Sequence, residues 1–228
     1  MSTPATHDGP QARVSVLIPT FNRARFLRSA IRSVLEQDYR DLRLVVVDDA
    51  STDDTPDVVA SFSDPRITYR RQPRNLGGWL ANSNSAFEGV ATEFVVWLGD
   101  DDQMLPGALG RAVAAMDRHP NVGIVHAAFN YVNADGAVLV TGTNLTRDLK
   151  AETLEPGHTY IRKAMRYGTR VCSPAAMART AAVPLVPFDP EAGPTADAGL
   201  WMRIALKWDV LFISEPGLNY RLHGGSDS

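Results

Sequence analysis

The chain has 228 residues, 44% hydrophobic and 21% charged, the composition of an ordinary soluble globular protein with one substantial core. Its formal net charge of −3 gives no field for nucleic acid, and no basic cluster is interleaved with aromatics. The single cysteine, Cys172, excludes an internal disulfide and a CxxC metal site, and it reads as a small buried residue in a reducing compartment. Residues 1–12 are expected to form a flexible N-terminus without an apolar h-region, and no apolar run approaches the about 18 residues that a spanning helix needs. The expectation is a cytoplasmic protein without a membrane span, with peripheral contact at a bilayer left open.

Val14-Ser15-Val16-Leu17-Ile18 is a short β-branched run bounded by Pro19, which predicts a buried strand. Phe26, Leu27, Ala30, Ile31, Val34 and Leu35 then recur on one helical face. Leu44-Val45-Val46-Val47 is a continuous apolar run of the kind found in parallel strands covered on both faces, and it ends in Asp48-Asp49. Ser51-Thr52-Asp53-Asp54-Thr55-Pro56 is a helix entry with capping side chains and a proline for the first turn. Ile67-Thr68-Tyr69 is a weaker strand. Asn75-Leu76-Gly77-Gly78 is a loop, and a helix follows from Trp79 towards Val90.

Glu93 to Leu98 predicts another buried strand, ending at Gly99 and delivering Asp100-Asp101-Asp102. This alternation implies right-handed crossovers and a mostly parallel sheet. Beyond Pro106 the pattern is mixed: a helix through Leu109, Val113 and Met116, a strand at Val122–Val125, and a hairpin around Asn133-Ala134-Asp135-Gly136. Helices are then expected at Tyr160–Tyr167 and Ala198–Lys207, with closing strands at Val210–Ile213 and Leu218–Leu222.

The aspartate triplet is the most informative local feature. Two carboxylates about 4 Å apart repel by roughly 4 kcal/mol at an effective dielectric near 20, and a divalent cation with oxygen ligands reverses the sign. Strand carboxyl ends are also where open α/β sheets bind ligands. A solvated acidic turn is the alternative for the triplet taken alone.

Five segments, Ile18-Pro19-Thr20-Phe21-Asn22-Arg23, Val47-Asp48-Asp49-Ala50-Ser51-Thr52-Asp53, Asn75-Leu76-Gly77, Gly99-Asp100-Asp101-Asp102 and Tyr220-Arg221-Leu222-His223, together resemble the GT-A glycosyltransferases of family 2 over essentially residues 13–226. The resemblance implies an α/β, nucleotide-diphospho-sugar transferase-like GT-A fold with helices flanking the sheet. It implies one domain over 13–228, with a nucleotide-binding half at 13–105 and an acceptor-binding half at 106–228. It places Pro19, Thr20, Phe21 and Arg23 at the nucleotide, Asp49 on the base, and Arg74 near base or phosphates. Asp48 fits a cap on the following turn.

Gly99 stands where the commonest family pattern has its first aspartate. Alignment on Pro106 makes Asp101 the ligand of Mn²⁺ or Mg²⁺ and Asp100 the ribose contact. Asp102 either completes the metal shell or orients a neighbour. His223 is implied at the metal and Arg221 at the diphosphate; a histidine near a terminus is otherwise a surface residue. Asp197 resembles the family's acidic residue at an acceptor-side helix and is the candidate general base, a role compatible with helix capping. Trp201 reads equally as acceptor wall or core.

The implied reaction is a single displacement with inversion from a UDP, dTDP or GDP sugar to a hydroxyl on a saccharide, a lipid-linked sugar or a small natural product. Retention is an alternative that the same motifs allow. The short stretch after the histidine motif favours transfer of single sugars over processive synthesis. A dinucleotide oxidoreductase and a P-loop phosphotransferase are excluded, since no GxGxxG or GxxxxGK[ST] follows the first strand. The rival from another class is a catalytically silent sugar-nucleotide-binding subunit. Donor sugar and acceptor depend on the loops at Asn144–Gly157 and Pro184–Pro194.

Overall fold

The computed structural model describes residues 12–145, 149 and 151–224; the expected flexible N-terminus, part of the loop after Asn144, and the end of the histidine segment lie outside them. Strands β1 (Val14–Thr20), β2 (Leu42–Asp48), β3 (Ile67–Arg71) and β4 (Phe94–Trp97) alternate with helices α1 (Ala24–Leu35), α2 (Thr55–Ala60) and α3 (Trp79–Ala86). All four strands pair in parallel in the order β3-β2-β1-β4. The continuous apolar runs of β1 and β2 are buried on both faces, as helices covering a parallel sheet require. Parallel pairing brings the carboxyl ends of β1, β2 and β4 to one edge.

The later half continues with β5 (Gln103–Met104), α4 (Ala108–Arg118), β6 (Val122–Val132), β7 (Val138–Thr143), β8 (Thr153–Glu155), α5 (Gly157–Tyr167), β9 (Ala176–Arg179), α6 (Ala196–Ala205) and β10 (Asp209–Arg221). The sheet runs on as β9-β6-β10-β5, with β9 antiparallel to both β4 and β6, and with β6 parallel to β10. This half is mixed, as its patterning suggests.

Two details differ from the sequence expectation. The strand expected at Val122–Val125 runs on to Val132, and the two expected closing strands are one, β10, with register shifts around Pro216. A bulge absorbs the proline and glycine that read as a break. The central strand β9 escaped notice because Ala-Met-Ala-Arg carries no β-branched signal; its position between β4 and β6 makes it a strand.

One face of the sheet packs against α1, α2 and α4 through Leu27, Ile31, Val34, Leu109, Val113 and Met116. The other packs against α5 and α6 through Tyr160, Ala164, Leu200, Trp201 and Ile204. Helix α5 approaches the end of α6 closely: its first residue, Gly157, has room for no side chain, since a Cβ there would lie 2.0 Å from the Ala205 carbonyl oxygen and 2.4 Å from that of Trp208. Buried Arg170, just after α5, reaches Glu155, just before it, at 3.2 Å, and Lys163 of α5 pairs with the same carboxylate. Among the described residues no helix is long and apolar enough to cross a membrane.

Two stability effects are expected. Gly157→Ala should cost about 3 kcal/mol through forced separation of α5 and α6, a fall of roughly 6–12 °C in the thermal midpoint measured by calorimetry. His126 is buried against Phe212, and burial, aided by the charge of Arg170, pushes its pKa down to about 3. Between the unfolded value near 6.5 and that native value, the unfolded chain takes up a proton that the native protein refuses, so stability falls as pH drops below about 6.5. The stability lost between pH 7 and pH 5 in denaturant titrations should shrink by about 2 kcal/mol in His126→Gln.

Candidate active site

The carboxyl ends of β1, β2 and β4 open onto a cleft of about 1040 Å³. Its wall includes Pro19, Thr20, Phe21, Arg23, Asp49, Asp100, Asp101, Asp102, Asp197 and Arg221, so ten of the twelve residues singled out in the sequence line one space. His223 stands directly behind Asp101. Arg74 is exposed on its loop and is not among the residues lining the cleft.

The loops after β1 and β2 interlock. Asn22, at a positive φ of 54°, accepts the Thr52 N–H at 2.7 Å, and its own N–H donates to Ser51 Oγ at 2.9 Å. Asp48 caps the turn, accepting the Ser51 N–H at 2.8 Å, and its other oxygen accepts from Arg71 and the Tyr69 hydroxyl. Asp49 is left to face the cleft. Its Oδ1 accepts the Leu76 N–H at 2.8 Å, which ties the Asn75-Leu76-Gly77 loop to the end of β2. Burial raises the Asp49 pKa, partly opposed by that hydrogen bond.

The triplet divides into three environments. Asp100 is pushed up to about 7, first by burial and then by the adjacent charge of Asp101. Asp102 is raised well above the carboxylate range by the same two causes, and its Oδ1 accepts the backbone N–H of Arg221 at 2.9 Å. Asp102 thus orients a neighbour through this oxygen, one of the two roles expected of it. Asp101 Oδ2 lies 2.9 Å from His223 Nε2. The His223 ring stacks on Phe26, centroids 4.7 Å apart, and the Arg23 guanidinium lies 3.4 Å from the same ring nitrogen. Phe26, read from the sequence only as part of a helical core face, therefore holds the histidine.

Arg221, which lines the cleft, is also held by the backbone around it. Its guanidinium donates to the carbonyls of Asp101, Asn133 and Ala134 and lies over Phe26, so it clamps the β6–β7 hairpin to the acidic loop. The guanidinium expected at the diphosphate is engaged with carbonyl oxygens, and Arg23 is the second arginine on the cleft wall.

The acidic loop fits a hard divalent cation. Carboxylates crowd there until burial and mutual repulsion hold two of them towards the neutral form, and one carboxylate faces an imidazole nitrogen. Among the described residues no three such side chains form a closed ligand set.

On the opposite wall, Asp197 stands in the first turn of α6, where the helix dipole favours a negative charge. Thr195, rather than Asp197, holds the N-cap position. Ser173 Oγ donates to Asp197 Oδ2 at 2.8 Å, and the Trp201 indole N–H donates to Ser173 Oγ at 3.0 Å. Trp201 is buried core. Between the two walls, the rings of Trp79 and Trp97 stack at 5.7 Å and line the cleft, backed by Phe188. Ser173 had no sequence signal, because its partner in the cleft is 24 residues away.

This sheet, with its acidic loop at the end of β4, defines the GT-A class of nucleotide-diphospho-sugar transferase folds. The S. aureus TarS 1–349 structure in complex with UDP-GlcNAc superposes with a TM-score of 0.75 at 22% identity, covering 94% of this chain and 60% of that one. The mannosyltransferase PcManGT from Pyrobaculum calidifontis, in complex with GDP-Man and Mn²⁺, gives 0.63 at 24% identity, covering 90% and 55%. The profile described as Glycosyl transferase family 2 matches residues 15–181, and the chain belongs to that family. A Campylobacter jejuni relative, GalNAc(5)-diNAcBac-PP-undecaprenol beta-1,3-glucosyltransferase, is 35% identical over 154 residues, 66% of this chain and 46% of that protein. The chain spans about half the length of such curated relatives.

The bond from the Arg221 N–H to Asp102 yields a test. Asp102→Ala should destabilise the protein by roughly 1–3 kcal/mol in EDTA, because the buried Arg221 N–H loses its acceptor. Asp102→Asn keeps an acceptor and relieves repulsion with Asp101, so its denaturant midpoint should equal or exceed that of the wild type.

Proposed function

We propose that this protein transfers a sugar from a nucleotide-diphosphate sugar, most simply a UDP sugar, to a hydroxyl acceptor with inversion at the anomeric carbon. The observation that carries the reading is the placement of Asp49, the Asp101–His223 pair and Asp197 around one cleft. That order suits a base, a diphosphate and an attacking hydroxyl. Asp49, with Pro19, Thr20 and Phe21, would bind the base, and Asp100 the ribose. Arg23 supplies positive charge beside the acidic loop, as its influence on Asp100 indicates.

Asp101 and His223 are the residues that would hold Mn²⁺ or Mg²⁺, which when bound offsets the charge of a departing diphosphate. Asp197 takes the proton of the acceptor hydroxyl as its oxygen bonds to the anomeric carbon, and the bond from that carbon to the diphosphate breaks, releasing the nucleoside diphosphate. A positioned base of this kind is worth roughly 10²–10⁴ in rate. A lipid-linked saccharide is a fitting acceptor, since the C. jejuni relative's name specifies an undecaprenol-linked one. The reaction would then run at the cytoplasmic face of a membrane.

Calorimetric titration with UDP, dTDP and GDP, each with and without Mn²⁺, tests the reading. Metal-dependent binding of one diphosphate, lost in Asp101→Ala, is the expected result; no binding to any would overturn the reading, and binding without turnover would move the assignment to a silent subunit. Asp197→Asn should retain donor binding and lose at least about a hundredfold in turnover, and near-normal turnover would remove Asp197 from the mechanism.

A further inference from the structure

We infer that Ser173 is a positioning residue that, together with Trp201, fixes the Asp197 carboxylate for proton transfer; the inference rests on the reading of Asp197 as the base. Ser173 opens a 3₁₀ turn, Ser173–Ala175, shortly after α5, and is only 4% exposed although it lines the cleft. Its hydroxyl lies between two groups of different character. The Trp201 indole N–H, at 3.0 Å, is a donor only, so it takes a lone pair of Ser173 Oγ. The single hydroxyl hydrogen is then directed to Asp197 Oδ2, 2.8 Å away. The chemistry of the indole thus sets the direction of the whole relay.

The other oxygen of Asp197 is also tied, since Oδ1 accepts the Ala198 N–H at 2.6 Å. With one donor on each oxygen, both side-chain torsions of the aspartate are fixed and the remaining lone pairs are the ones available to the cleft. A carboxylate on an exposed first helical turn would otherwise exchange among rotamers. Both ends of the relay are anchored in the core. Trp201 is 3% exposed within the apolar layer between α5 and the sheet. The segment that carries Ser173 leaves α5 through Arg170, which is held by the buried carboxylate of Glu155. The relay therefore carries the order of a core tryptophan into the cleft, which is the arrangement that keeps a reacting group within the narrow tolerance of a transfer step.

The test has one arm that needs no substrate. In ¹H–¹⁵N spectra the Trp201 indole resonance, assigned by its loss in Trp201→Phe, should move in Asp197→Ala by more than those of Trp79, Trp97 and Trp208. It should move further, and exchange faster with solvent, in Ser173→Ala. An unmoved Trp201 resonance in Asp197→Ala overturns the coupling whatever the donor proves to be.

The second arm is UDP release from UDP-glucose and UDP-GlcNAc. Ser173→Ala should lower kcat by roughly tenfold to a hundredfold with KM unchanged, while Ser173→Thr, which keeps the hydroxyl, restores most of it. Thermal midpoints confirm that the variants are folded. Unchanged kcat in Ser173→Ala beside an inactive Asp197→Asn overturns the positioning role and leaves the base in place. A rise in KM with kcat preserved would make Ser173 a substrate contact and likewise overturn it. Full turnover in Asp197→Asn instead removes the base reading, with the indole resonance still deciding whether the three side chains are coupled.

Discussion

The structure is organised around the difficulty of holding several carboxylates together at one edge of a buried sheet. Asp48, Asp49, Asp100, Asp101 and Asp102 all stand at or just beyond strand carboxyl ends, and Asp48, Asp49 and Asp102 are almost wholly buried. Burying an ionised carboxylate without partners is prohibitive. Four of the five have partners of their own. Asp48 is neutralised by Arg71 and the Tyr69 hydroxyl, Asp49 accepts a backbone N–H, Asp102 accepts another, and Asp101 faces an imidazole. These remedies recruit the β3 strand, the Asn75–Gly77 loop and the end of β10, so the loops that shape the cleft are fixed by the charges they serve.

The wall that carries Asp197 is built on different physics. Few charges meet there, and order comes from packing: Gly157 lets α5 and α6 approach, Glu155 and Arg170 tie both ends of α5, and the Trp201 side chain reaches Ser173 from the core. One wall of the cleft is thus ordered by paired charges and the other by packing. The 167 to 188 region, which joins the two through Phe188 and Asn84, is the seam between them.

Much of this was legible in the sequence because strongly periodic or continuous apolar runs specify buried elements locally. The first four strands and their helices, the acidic ends of β2 and β4, and the hairpin at Asn133–Gly136 all follow from residues near one another in the chain. What was not legible depends on long-range pairing. Strand β9 is a strand only because β4 and β6 flank it. Arg221 carries the signature of an anion-binding residue, yet carbonyls of the acidic loop and the hairpin claim its guanidinium. Asp102 looks like its neighbours and is set apart by the Arg221 N–H opposite it. Ser173 and Phe26 acquire their roles from partners that no local pattern points to.

The bond between Asp102 and Arg221 joins positions 119 apart, and β10 pairs with β6 along nearly its whole length. A chain emerging from the ribosome therefore completes its parallel first half and its acidic loop long before the strand that shelters that loop is available. Until about residue 221 has been made, the three adjacent aspartates have neither the N–H that receives Asp102 nor the imidazole beside Asp101. The repulsion that a finished cleft turns to use would, in the nascent chain, keep the loop open to water, and closure of the site would be among the last events of folding, at the slow rate that distant pairings impose.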